Sequence, residues 1–243
     1  MAIPQWRWLK PLKRVVRQFV SIFWDRPFWD PGIEHLKTHA QGVVLNAGSG
    51  LRTFQFGDAM VNIDIAWRKK PHIAGDLHAL PFQDASFDAI LNIAVLEHVP
   101  RSWNCVKEFF RVLKPGGTVI CSVPFLQPVH DDPGDYIRFT EQGLRQLFID
   151  HGFAVTASQS TLNFFHTFGW ITYELLISRW YLRPLTIFFN PIMLLLQRIP
   201  LDVPRCRSAN TIIAKKPDVE SVKQNQHSDA KPQNHLVTAA ACL

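Results

Sequence analysis

The sequence contains no apolar run long enough to cross a membrane. The two most apolar stretches in its 243 residues are FFHTFGWITYELLIS, at 164–178, and TIFFNPIMLLL, at 186–196. Both are shorter than the roughly 20 residues that a spanning helix needs, and Pro191 interrupts the second. The first twenty residues also lack a continuous apolar segment. We therefore expect neither a transmembrane pair nor a secretory signal.

Cysteine is scarce as well. The four cysteines have no CxxC or other metal-ligand spacing, which predicts reduced thiols in a cytoplasmic protein. His98 and His130 likewise lack ligand spacing, so no metal site is expected.

Acidic residues are outnumbered by basic ones, 20 to 26, and the net charge is +6. This charge permits an anionic partner, whether nucleic acid, acidic lipid or a phosphorylated small molecule, without favouring any of them.

A basic amphipathic helix is predicted near the amino terminus, within residues 1–30. Between positions 11 and 23 the apolar residues fall on one helical face, and Lys13, Arg14 and Arg17 point the other way. Tryptophans flank this segment on both sides. Such a helix can lie peripherally in a membrane interface, or it can pack over a sheet with its basic face in water. Both alternatives remain open at the level of sequence.

From about residue 31 onward, short apolar strands alternate with helices. Strands are predicted at 43–46, 61–65, near Ile73, at 89–93 and at 118–123. One helix is predicted at 103–113 and is closed by the Pro115-Gly116-Gly117 turn. Another begins after an N-cap at Thr140 and stops at Gly152. This alternation implies a mostly parallel, doubly wound α/β sheet.

The last two strands, predicted at 153–158 and 210–214, are separated by about fifty residues. A loop of that length is unusual, so we interpret 160–208 as an apolar helical insertion. A segment this apolar must be covered, and it is a membrane or lipid contact, a substrate lid or a dimer interface. The sheet and its insertion form one domain at 31–216, followed by a tail, 217–243, that is expected to be disordered.

Five motifs follow one another in a fixed order through the middle of the chain: VVLNAGSG, VNIDI, GDLHALPF, FDAILNIAVLEHV and RVLKPGG. This order resembles the class I S-adenosylmethionine-dependent methyltransferases, and within them the type 11 small-molecule group with its LEHV and LKPGG signatures. The resemblance covers residues 42–152. It implies a Rossmann-like sheet that ends in an antiparallel hairpin, S-adenosyl-L-methionine as the cofactor, and an enzyme that transfers a methyl group.

The resemblance also implies how the methionine and ribose parts of the cofactor are held. The turn with Gly48 and Gly50 would wrap the methionine part, because glycines let the backbone approach a ligand closely. Asp64, at the end of the second strand, would accept both ribose hydroxyls. Asn46 stands where the family carries an acid, and Arg52 stands where it carries a third glycine. Asn46 can orient the turn but supplies no charge against the ammonium group.

The adenine and methyl ends of the cofactor have their own expected contacts. Asp76 resembles the family's acceptor for the exocyclic amine, next to a backbone N–H at Leu77. Ile65 and Leu77 would then lie on the two sides of the ring. Asn92 and Ile93 follow the fourth strand at the carboxyl edge, where ligands gather in open α/β sheets, and their backbone would face the transferred methyl group.

The residues that are expected to contact the methyl acceptor lie in two segments, PFLQPVHDDPGDYIRFT and LEHV. Methyl transfer depends mainly on in-line approach, and an oxygen nucleophile can in addition need a general base. The candidates for this base are His98, His130 and Asp135. Tyr136 and Arg138 are candidate contacts to an anionic or sugar-like acceptor. The alternative is a structural loop in which Asp135 and Arg138 pair with each other.

These features predict methyl transfer to a small-molecule, saccharide or lipid-linked acceptor, at a membrane surface if the apolar segments contact lipid. One alternative is a catalytically silent binding protein, suggested by Asn46, Arg52 and the short connection after Gly50, which leaves room only for a truncated helix. Another is a dinucleotide-dependent oxidoreductase. The sequence speaks against it, because Thr53 stands where the GxGxxG motif of such enzymes has its third glycine. A nucleic-acid acceptor is disfavoured, since the sequence has no NPPY-like motif. The oligomeric state cannot be predicted.

Overall fold

A computed structural model gives the fold of this chain. It describes residues 34–50, 55–130, 134–159, 162–201 and 203–218. The predicted amphipathic helix near the amino terminus, Arg52 and Thr53, and nearly all of the predicted tail lie outside these ranges. The domain boundaries at residues 31 and 217 therefore remain predictions.

Seven strands form one sheet: β1 (Val43–Ala47), β2 (Ala59–Asp64), β3 (Ile73–Ala74), β4 (Phe87–Ile93), β5 (Leu113–Pro124), β6 (Ala154–Gln159) and β7 (Ala209–Lys215). Their spatial order is β3-β2-β1-β4-β5-β7-β6. The first five pair in parallel, while β7 runs antiparallel to both β5 and β6. The Rossmann-like sheet with its closing antiparallel hairpin, expected from the sequence, is confirmed.

The strand order reverses between β1 and β4: β2 and β3 lie on one side of β1, and β4 and β5 lie on the other. Leu45 of β1 pairs with Val61 of β2 on one side and with Ile90 of β4 on the other. The connections that follow β1 and β4 therefore leave in opposite directions and open a crevice at the carboxyl edge. In open α/β sheets this position is where ligands bind.

Two helices cover one face of the sheet, α1 (Ser102–Val112) and α2 (Glu141–Asp150). Helix α1 buries residues at helical spacing, with Phe109 fully enclosed in the main core cluster. Thr140 caps α2 by accepting a hydrogen bond from the Gly143 N–H at 3.0 Å, and Gly152 ends it with φ +88°. Both boundaries of α2 agree with the sequence prediction.

The predicted Pro115-Gly116-Gly117 turn lies inside β5 instead of before it. Phe87 of β4 pairs with Leu113, and Ala89, two residues later, pairs with Thr118. Three extra residues are thus accommodated as a bulge in β5, with Gly116 at φ +77°. The sequence located the turn correctly, but Leu113 and Lys114 already belong to the strand that follows it.

The connection from β1 to β2 is short. Its described residues, 48–50 and 55–58, contain no helix. Asp58 N–H and Ala59 N–H both donate to Gly42 O, at 2.8 and 3.3 Å, so the chain returns directly to the start of β1. This agrees with the truncated connection predicted from the sequence and brings the glycine turn close to the end of β2.

A network around Arg111 holds α1 against the segment that precedes β4. Arg111 donates to both carboxylate oxygens of Glu108, at 2.8 and 2.7 Å, and to the carbonyls of Leu80 and Phe82 at 2.9 and 2.8 Å. Glu108 also accepts the Leu80 N–H at 2.7 Å. A further ion pair joins Arg111 to the exposed Asp84. The PFQDASFD run at 81–88 thus has a structural role, since it is held by Arg111.

The insertion between β6 and β7 forms two helices, α3 (Phe164–Ser178) and α4 (Thr186–Leu196). They approach closely at Gly169, where a Cβ would lie 3.4 Å from the sulfur of Met193. Asn163 caps α3 and donates to the carbonyls of Gln197 and Ile199, both at 2.8 Å, which ties the start of α3 to the end of α4. Pro191 lies within α4, which continues through it. In the part of the chain that the structure describes, no helix has the length and apolarity to span a bilayer.

Candidate functional site

The glycine turn after β1 is held against the end of β2. Gly48 N–H and Ser49 N–H both donate to Ile63 O, at 2.9 and 3.0 Å. Gly48 has φ +79°, and a Cβ there would lie 2.4 Å from a methyl carbon of Val95. Only glycine fits this position, for two separate reasons: the backbone conformation and the contact with Val95.

Asp64 faces this turn from the end of β2. One of its carboxylate oxygens accepts the Gly50 N–H at 2.7 Å, and the other accepts the Ala66 N–H at 2.8 Å. Each carboxylate oxygen can accept more than one hydrogen bond, so both retain acceptor capacity. Gly50 has φ +57°, and no atom of the described residues lies within 4 Å of the position that a Cβ would take there. The predicted pair of glycine turn and acidic residue is thus brought together.

Asn46 points into the sheet and not into the turn. Its side-chain amide donates to the side-chain oxygen of Asn62 on β2 at 2.9 Å, and the residue is buried. This hydrogen bond joins neighbouring parallel strands directly below the turn. Asn46 therefore supports the position of the turn from beneath and brings no charge to it.

Two of the residues predicted to contact adenine, Asp76 and Leu77, have side-chain contacts within the protein. Asp76 accepts both the N–H and the ring Nδ1 of His78, at 2.9 and 2.7 Å. These bonds, led by the backbone one, lower the pKa of Asp76 and keep it ionised. Ile65 is 68% exposed, whereas the Leu77 side chain packs in the main core cluster. Of the expected apolar pair, only Ile65 has an exposed side chain.

Asn92 and Ile93 end β4 next to the glycine turn. The buried Asn92 amide donates to Ala47 O at 2.9 Å, so this side chain ties β4 to the end of β1. Ala94 then adopts φ +55°, and its N–H donates to Ser122 O at 2.8 Å. A left-handed conformation is strained for alanine, and such strain is found mostly near functional sites. It turns the chain sharply into the LEHV segment.

Three of the polar side chains that follow β4 and β5 meet above the carboxyl edge. Glu97 and His98 belong to a 3-10 helix, Leu96–His98, and His130 follows β5. A Glu97 oxygen lies 3.5 Å from Nε2 of His98 and 3.8 Å from Nε2 of His130. The two imidazole rings are perpendicular, with centroids 5.0 Å apart. Residues that are 32 positions apart in sequence are therefore neighbours in space.

The Glu97 carboxylate is fully buried, and neither of its oxygens has a hydrogen-bond partner among the described residues. Backbone carbonyls orient the two histidine rings. Nδ1 of His98 contacts Gly134 O, and Nδ1 of His130 lies 3.3 Å from Pro128 O. The interaction with Glu97 raises the pKa of His130, against burial, which lowers it.

Asp135 and Arg138 pair with each other through two hydrogen bonds. Asp135 also accepts the His130 N–H at 3.0 Å. Burial raises the pKa of Asp135, but Arg138 and the His130 N–H outweigh it, and the net effect is a lowered pKa. Such a carboxylate is a poor general base, and the structural-loop alternative considered for this pair is the arrangement observed.

Tyr136 is exposed, and its backbone N–H donates to Glu97 O at 2.8 Å. This contact fastens the loop after β5 to the LEHV segment. The Tyr136 ring also lies against Gly134, where a Cβ would come within 2.8 Å of it. Of the two residues predicted to contact the acceptor, Tyr136 has an exposed side chain, whereas Arg138 is engaged by Asp135.

Comparisons with known proteins find matches for the part of the chain that includes the glycine turn and β2 to β4. A family model for the methyltransferase domain matches residues 48–121. A probable S-adenosylmethionine-dependent methyltransferase of Mycolicibacterium smegmatis is 37% identical over 101 residues, which are 39% of this chain and 38% of that relative. The match thus spans less than half the length of that relative. Residues 48–121 thus match a methyltransferase domain, and this part of the chain is similar to S-adenosylmethionine-dependent methyltransferases.

Solved structures share the fold of this methyltransferase domain. The YcgJ protein of Bacillus subtilis is 16% identical with a TM-score of 0.50, over 76% of this chain and 97% of that one. A phosphoethanolamine N-methyltransferase 2 of Haemonchus contortus, in complex with phosphomonomethylethanolamine and S-adenosylhomocysteine, is 14% identical with a TM-score of 0.50, over 82% of this chain and 56% of that one. At such identities only the fold can be compared.

Two residues near the carboxyl edge of the sheet were not predicted from the sequence. Glu97 was not singled out, although a lone acid in the otherwise apolar AVLEHV run was a signal of a buried charge. Trp170 of α3 lies against His130, with ring centroids 5.7 Å apart. No sequence pattern indicated that contact, since the residues are forty positions apart and belong to different parts of the fold.

Proposed function

We propose that this protein is an S-adenosylmethionine-dependent methyltransferase. The observation that carries the proposal is Asp64, whose carboxylate bridges the glycine turn at the crevice between β1 and β4. A carboxylate at this position suits a ribose, because it can accept both vicinal hydroxyls. The match of residues 48–121 to the methyltransferase domain supports the same cofactor.

The acceptor meets the methyl group above β4 and β5 in this proposal. Methyl transfer to a neutral or anionic nucleophile needs in-line positioning and exclusion of water. His98 and His130 lie at this edge, and Trp170 of the insertion covers His130. We infer that the acceptor is a small molecule, a saccharide or a lipid-linked group that enters between the insertion and the loop carrying Tyr136.

Calorimetric titration with S-adenosylhomocysteine tests the cofactor site. We expect the purified chain to bind it, and Asp64→Asn to weaken binding at least tenfold, about 1.4 kcal/mol, because the amide cannot accept both ribose hydroxyls. Asp58→Asn is the matched control: it changes an exposed acid just before the start of the same strand, away from the carboxyl edge. Equal affinities for the wild type and Asp64→Asn would remove Asp64 from the site. No binding by the wild type favours the catalytically silent alternative.

Contact with a membrane surface is the second part of the proposal. The helices of the insertion expose many apolar side chains, the largest of them Phe168, Ile171, Leu175, Phe188, Ile192 and Leu195. A patch of this kind marks an interaction surface, and two helices too short to span a bilayer can lie in its interface. The basic segment at 1–30, which lies outside the described residues, would add attraction to anionic lipid.

Co-sedimentation with vesicles of anionic phospholipid tests this part. We expect Phe188→Ser with Leu195→Ser to reduce binding several-fold, while Ile149→Ser, a change of an exposed apolar residue on α2 outside the insertion, leaves it unaltered. Deletion of residues 1–24 should remove the salt-sensitive part, since each Lys or Arg near such a surface contributes about 1 kcal/mol. Unchanged sedimentation of both altered proteins would exclude the membrane as the partner of the insertion.

A further inference from the structure

We propose that Glu97, His98 and His130 form a binding site for one divalent transition-metal ion, with Zn²⁺ as the representative ion. The three side chains converge at the carboxyl edge of β4 and β5, and their ligand atoms all lie within 4.8 Å of one another. The sequence predicted no metal here, because the spacing of the two histidines along the chain fits no ligand motif. The folded loop after β5 brings them together.

The first argument is the charge of Glu97. A carboxylate without hydrogen-bond donors is very costly to bury, and proteins normally pair such a group or use it to coordinate a metal. Both Glu97 oxygens are buried without a hydrogen-bond partner among the described residues. The Nε2 atoms of the two histidines lie 3.5 and 3.8 Å from one Glu97 oxygen, which is longer than an ordinary hydrogen bond. A cation between these three groups would compensate the buried charge.

The second argument is the orientation of the two imidazole rings. In both rings the Nδ1 faces a backbone carbonyl, Gly134 O for His98 and Pro128 O for His130. A carbonyl can only accept a hydrogen bond, so each Nδ1 carries the proton, and in the neutral ring Nε2 is left with a lone pair. Those lone pairs point at a carboxylate. Metal-binding histidines are held in this way, with the second nitrogen donating to a backbone carbonyl.

The distances agree with a shared ion. Donor atoms at roughly 2.0 to 2.2 Å from one metal lie about 3 to 4 Å from each other, depending on the angle at the metal. The separations of 3.5 and 3.8 Å between Glu97 and the histidines fall in that interval. Two imidazoles and one carboxylate are typical ligands of Zn²⁺ and related ions, and not of Mg²⁺ or Ca²⁺.

Three protein ligands leave one coordination position open, which is the arrangement of reactive zinc sites rather than structural ones. The next step, unlike binding of the ion, rests on the methyltransferase proposal. If that proposal holds, the open position lies on the acceptor side. An acceptor hydroxyl or carboxylate bound there would be oriented, and a hydroxyl would lose its proton more readily. Binding of the ion itself does not depend on that proposal.

Metal titration of the purified full chain, first treated with a chelator, tests the site. We expect one Zn²⁺ per chain by calorimetry, and the same stoichiometry for Co²⁺ followed by its visible absorption. His98→Ala, His130→Ala and Glu97→Gln should each weaken Zn²⁺ binding at least tenfold. His151→Ala is the matched control, because that ring also faces a backbone carbonyl, Leu147 O at 2.8 Å, but is not part of this cluster. Its affinity should equal that of the wild type.

A second measurement avoids any loss of folding in the variants. In the unaltered protein, Zn²⁺ should shift the side-chain Nε2 nitrogen resonances of two histidines among the ten, and His98→Ala should remove one of them. Wild-type-like Zn²⁺ affinity in all three variants, or histidine shifts absent at one equivalent of metal, would overturn the proposal and leave a proton as the cation near Glu97. Failure to bind S-adenosylhomocysteine would overturn only the methyltransferase proposal, since Zn²⁺ binding is measured without it.

Discussion

Gly48→Ala is expected to lower the free energy of unfolding by about 2 to 5 kcal/mol. The backbone at Gly48 has φ +79°, where a Cβ costs roughly 1 to 2 kcal/mol, and that Cβ would lie 2.4 Å from Val95. Val95 cannot retreat easily, because it packs against the main core cluster. Urea unfolding followed by circular dichroism measures the change.

Gly50→Ala separates the two causes. Gly50 has a similar φ of +57°, but a Cβ there meets no atom within 4 Å in the part of the chain that the structure describes. We expect this variant to lose only the conformational part, about 1 to 2 kcal/mol. If both variants lose the same free energy, the contact with Val95 is not what requires glycine at position 48.

Arg111→Met is expected to destabilise the protein by about 2 to 3 kcal/mol near neutral pH, because hydrogen bonds to charged groups contribute about 1.5 to 3 kcal/mol. The change removes the bidentate pair with Glu108 and the bonds to the carbonyls of Leu80 and Phe82. The bond to Asp84 adds little, since that carboxylate is largely exposed. Urea unfolding of wild type and variant gives the difference.

This difference depends on pH in a predictable direction. Hydrogen bonds from Arg111 lower the pKa of Glu108 from its ordinary value of 4.5. A lowered pKa in the folded state means that the stabilisation is complete above about pH 4.5 and is lost as the pH falls through the folded-state pKa. The effect of Arg111→Met should therefore shrink in acid. Glu108→Gln, which cannot titrate, should show a weaker loss of stability in acid than the wild type, and a pH-independent effect of Arg111→Met would contradict this assignment.

The sheet and the cofactor end were the most predictable parts of this protein. Buried parallel strands are short and continuously apolar, so segments such as Val43–Ala47 stand out in a sequence, and glycine marks the turn that follows. Parallel strands also end at a common edge. The proximity of Asp64 to Gly50 could therefore be anticipated without knowing any side-chain contact.

The loops that follow β4 and β5 could not be predicted to the same depth. Whether Asp135 acts as a base or pairs with Arg138 depends on side-chain directions in an irregular loop, which no periodicity encodes. The cluster of Glu97 with the two histidines depends on how that loop folds back over the neighbouring strand end. Leu77 illustrates a related limit: its apolar side chain fits a ligand contact and a core position equally well, and burial decides for the core.

The contact between Trp170 and His130 links the outer helices to the carboxyl edge of the sheet. Helix α3 is joined at its start by Asn163 to the residues just after α4. Its indole lies against an imidazole whose Nε2 is 3.8 Å from an oxygen of the buried Glu97. A surface that binds the outer helices would therefore act on the surroundings of this carboxylate through the aromatic contact.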